Sequence, residues 1–257
     1  LITGRLFLVA GSSFSQVMFQ KTYGGLPSDD MAFAAQQTSD KGFIMAGRTG
    51  NFGVNLLGMY LVKTDSAGIV QWSKTFDLGD WDEVTALQQT ADNGYILTGY
   101  TVNPSTFEDD FFLLKTTSVG SLSWFKIFSS GSWDISYGVR QTTDGGYVLT
   151  GQSNSGQAFL LKTDAAGTIT WNKRFGVNAE VGKSVQQTSD GGYILCGYTN
   201  AGANADIYVV KTNSSGTLQW TTTYGMGGWE EGHDIKQTTD GGYIITGYEG
   251  AVGASAC

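Results

Sequence analysis

Seven residues before a recurring glutamine, the chain carries a carboxylate five times: Asp30, Asp82, Asp134, Glu180 and Glu230. Trp81, Trp133 and Trp229 stand immediately before three of these acids, while Asp29 and Ala179 hold that place in the other two. A tryptophan beside a carboxylate suits a glycan or a peptide. The ring offers a flat apolar face, and the acid accepts hydrogen bonds from hydroxyls or amines. The candidate ligand-binding set is therefore Trp81, Trp133, Trp229, Asp82, Asp134 and Glu230. The same acids have a structural reading, in which each caps backbone N–H groups of its own loop and the tryptophan packs over a junction between repeats. An acid in every repeat favours the structural reading for the carboxylates. A tryptophan in only some repeats does not, so the three tryptophans are the stronger candidates.

Catalytic constellations are harder to assemble. His233 is the single histidine, in Trp229-Glu-Glu-Gly-His-Asp234. Beside acids it has the chemistry of a general base, but one histidine cannot build a multi-histidine metal site, and a partly exposed loop residue is the plainer reading. Glu230 and Glu231 would serve a glycoside hydrolase or lyase only if two carboxyls stood ~5–10 Å apart across a cleft. The acidic clusters Glu108-Asp109-Asp110 and Asp80-Asp82-Glu83 lack a recognised calcium-loop spacing and read as solvated surface. No catalytic residue, metal or cofactor is assigned.

Composition narrows the partners. The 257 residues carry 23 acids against 15 bases, a formal charge of −8, with no basic run. A phosphate backbone or an anionic membrane surface needs clustered positive charge, so neither is expected. No stretch approaches the ~20 apolar residues that span a bilayer as a helix. The only cysteines are Cys196 and Cys257, which excludes a disulfide framework and leaves the redox compartment open. Cys196 falls where the other repeats hold Ala46, Thr98, Thr150 and Thr246, and reads as a small buried side chain.

The elements that would position these residues come from a repeat. Five segments align without gaps, beginning at Gln37, Gln89, Gln141, Gln187 and Gln237; the third reads QTTDGGYVLTG. Their period is about 50 residues. A second unit lies between them: YLVKTDSAGIVQW (Tyr60–Trp72), FLLKTTSVGSLSW (Phe112–Trp124), FLLKTDAAGTITW (Phe159–Trp171) and YVVKTNSSGTLQW (Tyr208–Trp220). Asp144-Gly145-Gly146 between β-prone runs predicts a hairpin turn, and Gly167 a second one, because glycine tolerates the positive φ these turns require. Trp171 to Phe175 predicts a strand with Trp171, Lys173 and Phe175 on one face. Four short strands per repeat without a sustained 3.6 period predict an all-β fold, a β-propeller of four-stranded blades. Small residues three before each glutamine (Ala34, Ala86, Gly138, Ser184, Asp234) place that strand innermost and the tryptophan strand outermost.

The beginning of the chain has two readings. Leu1 to Ser15 resembles a signal-peptide remnant ending in small residues, which leaves residues 16–257 as the repeats. Alternatively Phe7 to Phe19 aligns on Tyr60 to Trp72, so that residues 6–24 form two strands completing the last repeat and closing a five-bladed ring. On the first reading the chain is part of a larger propeller.

The QTxDGGY(I/V)LxG and (Y/F)(L/V)(L/V)KTDxxGxxxW units resemble a propeller repeat family widespread in large secreted and surface proteins of bacteria and some archaea, many with a C-terminal sorting domain. The resemblance covers about residues 16–250. It implies the propeller fold, a secreted or cell-surface address and attachment to further domains. No enzymatic activity is common to that family. The expectation is a non-catalytic binding or scaffold module for a protein or carbohydrate ligand, with a glycoside hydrolase or lyase on the acidic face as the alternative.

Overall fold

The computed structural model describes residues 19–25, 30–54, 56–129, 133–177, 179–200 and 204–250. Both readings of residues 1–15, and Cys257, lie outside these. Among the described residues every regular element is a strand. Two compact units divide the chain at Phe128.

The first unit holds two blades. Blade 1 is β1 (Asp30–Gln37), β2 (Phe43–Thr49), β3 (Gly58–Thr64) and β4 (Val70–Phe76); blade 2 is β5 (Trp81–Gln89), β6 (Tyr95–Val102), β7 (Asp109–Thr116) and β8 (Leu122–Phe128). The second unit holds blade 3, β9 (Ile135–Gln141), β10 (Tyr147–Gln152), β11 (Ala158–Thr163) and β12 (Ile169–Phe175), and blade 4, β13 (Glu180–Gln187), β14 (Tyr193–Thr199), β15 (Asp206–Thr212) and β16 (Leu218–Tyr224). Blade 5 has two described strands, β17 (Trp229–Gln237) and β18 (Tyr243–Gly250). Each four-stranded sheet is an antiparallel meander in sequence order. Burial follows from that order: the second and third strands are almost wholly buried, and the tryptophan strand is largely exposed.

The three glycines of the Asp-Gly-Gly…Gly unit have three different causes. The first supplies the positive φ of the hairpin turn, as at Gly145 and Gly191, with Lys41 and Asn93 accepting the same conformation in blades 1 and 2. The second makes room for a lysine. A methyl on Gly94 would overlap the Thr116 carbonyl oxygen and Lys115 Nζ, and Gly42, Gly146 and Gly192 face the same pair of atoms in their own blades. The third makes room for a bulge: a methyl on Gly99 would overlap the Glu83 carbonyl oxygen of the neighbouring inner strand, and Gly47, Gly151, Gly197 and Gly247 repeat the contact. In every blade the inner strand shifts register beside this glycine, and the residue left out of the pairing is Phe33, Thr85, Tyr137, Lys183 or His233.

The lysine of the Lys-Thr pair is the least expected core residue. Lys63, Lys115, Lys162 and Lys211 are all buried. Each ammonium donates to the turn aspartate of its own blade (Asp40, Asp92, Asp144, Asp190) and to the carbonyl of the threonine that follows it. Lys63 and Lys211 place a third bond on Gln71 and Gln219, so all three N–H groups are satisfied. The bond from Lys63, with that from Thr38, holds the Asp40 carboxyl down at about 2. For Asp92 and Asp144 burial pushes the other way, but hydrogen bonds from Thr90 and Lys115, and from Lys162 and Thr142, bring both down to about 2.

Glutamines join neighbouring blades within each unit. Gln89 Oε1 accepts the Ser39 N–H, Gln187 Oε1 the Thr143 N–H, and Gln237 Oε1 the Ser189 N–H, each at 2.8 Å. Gln36 and Gln186 accept the N–H groups of Gln89 and Gln237 in return. Apolar packing completes the junctions: Trp72 meets Tyr95 edge-on, and Trp171 meets Tyr193. Phe19 takes the corresponding place ahead of blade 1, edge-on to Phe43, and Tyr23 donates to the Gly68 carbonyl; residues 19–25 do this without forming a strand.

Candidate functional site

The acids at the start of each inner strand bond within their own repeats. Asp82 accepts the N–H groups of Leu78 (2.6 Å) and Gly79 (3.3 Å), and burial raises its carboxyl above the usual range. Asp134 accepts the Asn154 N–H at 3.2 Å, and Glu230 accepts the Gly228 N–H at 3.0 Å. Asp30 takes the Gly25 N–H and the Thr49 hydroxyl, and Glu180 the Thr199 hydroxyl. All three acids of the candidate set, Asp82, Asp134 and Glu230, are buried. Their geometry is that of loop caps.

The tryptophans separate from the acids. Trp81 and Trp229 open the inner strands β5 and β17, and Trp133 stands two residues ahead of β9. Trp133 is 60% exposed and Trp81 41%. Trp229 is half-buried, and its Nε1–H donates to Glu231 Oε1 at 2.7 Å. Trp229 is thus bonded to Glu231, and Trp81 is linked through Arg48 to the buried Glu83, each one residue beyond the expected acid.

The bulge gathers further side chains around each of these. In the first unit Arg48 Nη1 lies 2.6 Å from Glu83 Oε2, and its guanidinium sits 5.6 Å over Trp81 and 5.8 Å over the bulge residue Phe33. Burial raises the Glu83 carboxyl even with Arg48 beside it, and burial, then Glu83, pushes the Tyr100 hydroxyl up to about 12. In the second unit the bulge residue Lys183 places Nζ 3.8 Å over the Tyr137 ring and 5.6 Å from Tyr198. Desolvation lowers its ammonium, and Glu231 opposes that shift. His233, on β17 rather than in the loop expected of it, lies 3.3 Å from Glu231 Oε2 with its side chain 57% exposed. Each cluster is a cation held between aromatic faces with a carboxylate alongside. Such a surface stacks on planar groups and both donates and accepts hydrogen bonds.

The Glu108-Asp109-Asp110 run, expected as solvated surface, instead runs into the interior strand β7. Asp109 and Asp110 are buried on β7, and burial, with Asp110 next to it, raises the Asp109 carboxyl. Cys196 is fully buried, and desolvation pushes its thiol up to about 12. Sequence reasoning did not single out Arg48 or Lys183, and met Glu83 and Glu231 only within an acidic cluster and a carboxyl pair. The signal for Lys183 was the position four before each glutamine, which holds five different residue types in an otherwise uniform repeat.

Solved structures with this arrangement include a protein of unknown function from Dyadobacter fermentans DSM 18053 (13% identity over 84% of this chain and 70% of that one, TM-score 0.57). A second, also of unknown function, is from Bacteroides caccae (12% identity, 80% and 70%, TM-score 0.52). A third is the Pan2 WD40 domain of Neurospora crassa (10% identity, 83% and 72%, TM-score 0.51). The fold is that of a β-propeller. At these identities the likeness extends to the fold alone. No family model and no curated protein matches the chain.

Proposed function

We propose that the chain is a non-catalytic binding or scaffold propeller, and that protein or carbohydrate ligands engage, within a unit, the bulge residues and the tryptophans beside them. The reading rests on one observation: a bulge fixed by a glycine in every blade presents a different side chain each time, Phe33, Thr85, Tyr137, Lys183 and His233. A repeat maintained only for packing has no need of five side-chain chemistries at one geometric position. The resemblance of both repeat units to those of secreted and surface propellers supports a secreted or cell-surface address and attachment to further domains. A glycoside hydrolase of the usual kind needs two free carboxyls facing each other. Here Asp82 is engaged by backbone N–H groups and Glu83 by Arg48, which favours binding over catalysis.

The test is a glycan array together with a pull-down screen on the folded chain. The expected result is a ligand whose capture falls at least about tenfold in Trp229→Ala or Lys183→Ala, as loss of an interface anchor implies. Two empty screens, or a ligand indifferent to both substitutions, would overturn the proposal.

A further inference from the structure

Of the seven tryptophans, one stands apart. Trp72, Trp171 and Trp220 meet tyrosines edge-on, Trp124 is engaged as well, Trp81 lies under Arg48, and Trp229 donates to Glu231. Trp133 is 60% exposed and has no hydrogen bond, ring contact or ion pair among the described residues.

Its indole lines a cavity of about 200 Å³ whose other walls are Ile135, Gln152, Ser153 and Asn154 of the same blade. That volume is below the ~300–1,000 Å³ that encloses a drug-sized ligand, so the cavity takes a single ring. The side-chain amides of Gln152 and Asn154 make no hydrogen bond among the described residues. Ser153 is already satisfied, its hydroxyl bonded to Ser155 and to the Gln157 carbonyl. At the place of Gln152 the other complete blades carry Arg48 and Tyr100, both held by Glu83, and Tyr198, which faces Lys183. Among the complete blades, only blade 3 leaves the group at that place without a partner.

The lining also carries no charge. Asp134, next to Trp133, is 2% exposed and accepts the Asn154 N–H at 3.2 Å, so it fixes a wall of the cavity rather than meeting a ligand. Ahead of Trp133 the sequence reads Ser130-Gly131-Ser132, which supplies no aromatic or charged side chain.

Resting on the binding reading above, we infer that this cavity is a saccharide subsite that takes one neutral pyranose ring. The C–H face of a pyranose stacks on the exposed indole. Its hydroxyls, each both donor and acceptor, match the two free amides, which also carry both functions. An aromatic or aliphatic side chain of a protein ligand would instead bury those amides without partners, which is costly. An acidic sugar would find no counter-charge.

The experiment titrates the full chain by calorimetry with neutral tetrasaccharides of glucose, mannose, galactose and xylose, and with tetragalacturonate. Saturable binding of a neutral saccharide is expected, with none of tetragalacturonate. Trp133→Ala should weaken it at least about tenfold, as loss of an aromatic anchor implies, and Gln152→Ala about threefold. Neither variant should move the thermal midpoint, since both side chains lack partners in the chain. No binding of any neutral saccharide, preference for tetragalacturonate, or undiminished binding to W133A would overturn the inference. Saccharide binding that falls in Trp229→Ala or Lys183→Ala but not in Trp133→Ala would overturn it too, and would leave the binding reading standing.

Discussion

The two ends of each blade are built on opposite plans. At the turn end, aspartate, lysine, threonine and glutamine recur with nearly the same bond lengths from blade to blade. At the bulge end the backbone recurs and the side chain does not: the register shift is present in every blade, but what it displays runs from Phe33 to His233. Stability is concentrated where the sequence is uniform, and chemical variety where only the backbone is uniform. Substitutions at the two ends should therefore separate folding from binding.

The largest effect is expected from Gly94→Ala. Its methyl would overlap a strand carbonyl and the buried ammonium of Lys115, and it should cost about 3 kcal/mol in urea denaturation. The same change at Gly242, where a methyl would meet Thr238 Oγ1 and Asp240 Oδ1 but overlap no strand carbonyl or ammonium among the described residues, should cost less. A large loss at both positions would break the assignment of this glycine to the lysine. Next, Lys115→Ala removes a buried ammonium from its bonds to Asp92 and the Thr116 carbonyl, and about 2 kcal/mol should be lost. A cost below about 0.5 kcal/mol, the range of ordinary surface changes, would mean that the lysine is a passenger.

Acid should act at the turn end as well. The carboxyls of Asp40, Asp92 and Asp144 lie at about 2, below the usual value for an unfolded chain. Their contribution is present above the unfolded value of about 4 and is lost as pH falls through the folded value. Urea midpoints should decline between about pH 4 and pH 2, and Lys115→Ala should flatten that decline; an unchanged slope would sink the linkage. The smallest effects belong to the bulge end. Phe33→Ala and His233→Ala, both at exposed side chains, should move stability by no more than about 0.5 kcal/mol. A larger loss would show that the bulge residues hold the blades together.

The sequence was informative wherever one residue answers to one local cause. The turn at Asp144-Gly145 and the positive φ of Gly167 were visible because few residues other than glycine adopt that conformation freely. The strand order followed from the small residues and from Trp171. The buried lysines were not visible, since lysine in a strand ordinarily reads as a solvated residue and only a partner some 20 positions away in sequence makes burial tolerable. The bulge escaped for a different reason. It is an offset between two strands, and nothing within one strand announces which residue will be left out of the pairing. Hence the expected acids Asp82 and Glu230 prove to be buried loop caps, and the clustering of Arg48 and Lys183 with aromatic rings was not anticipated at all.

The glutamine bonds between blades bear on how the chain comes apart. Gln89 reaches back to Ser39, Gln187 to Thr143 and Gln237 to Ser189, so a hairpin turn is completed only when the next blade has folded against it. Folding along such an array is a nearest-neighbour process, in which each blade inherits part of its order from the one that follows. Amide exchange at Ser39, Thr143 and Ser189 would therefore report the docking of the succeeding blade rather than the opening of their own.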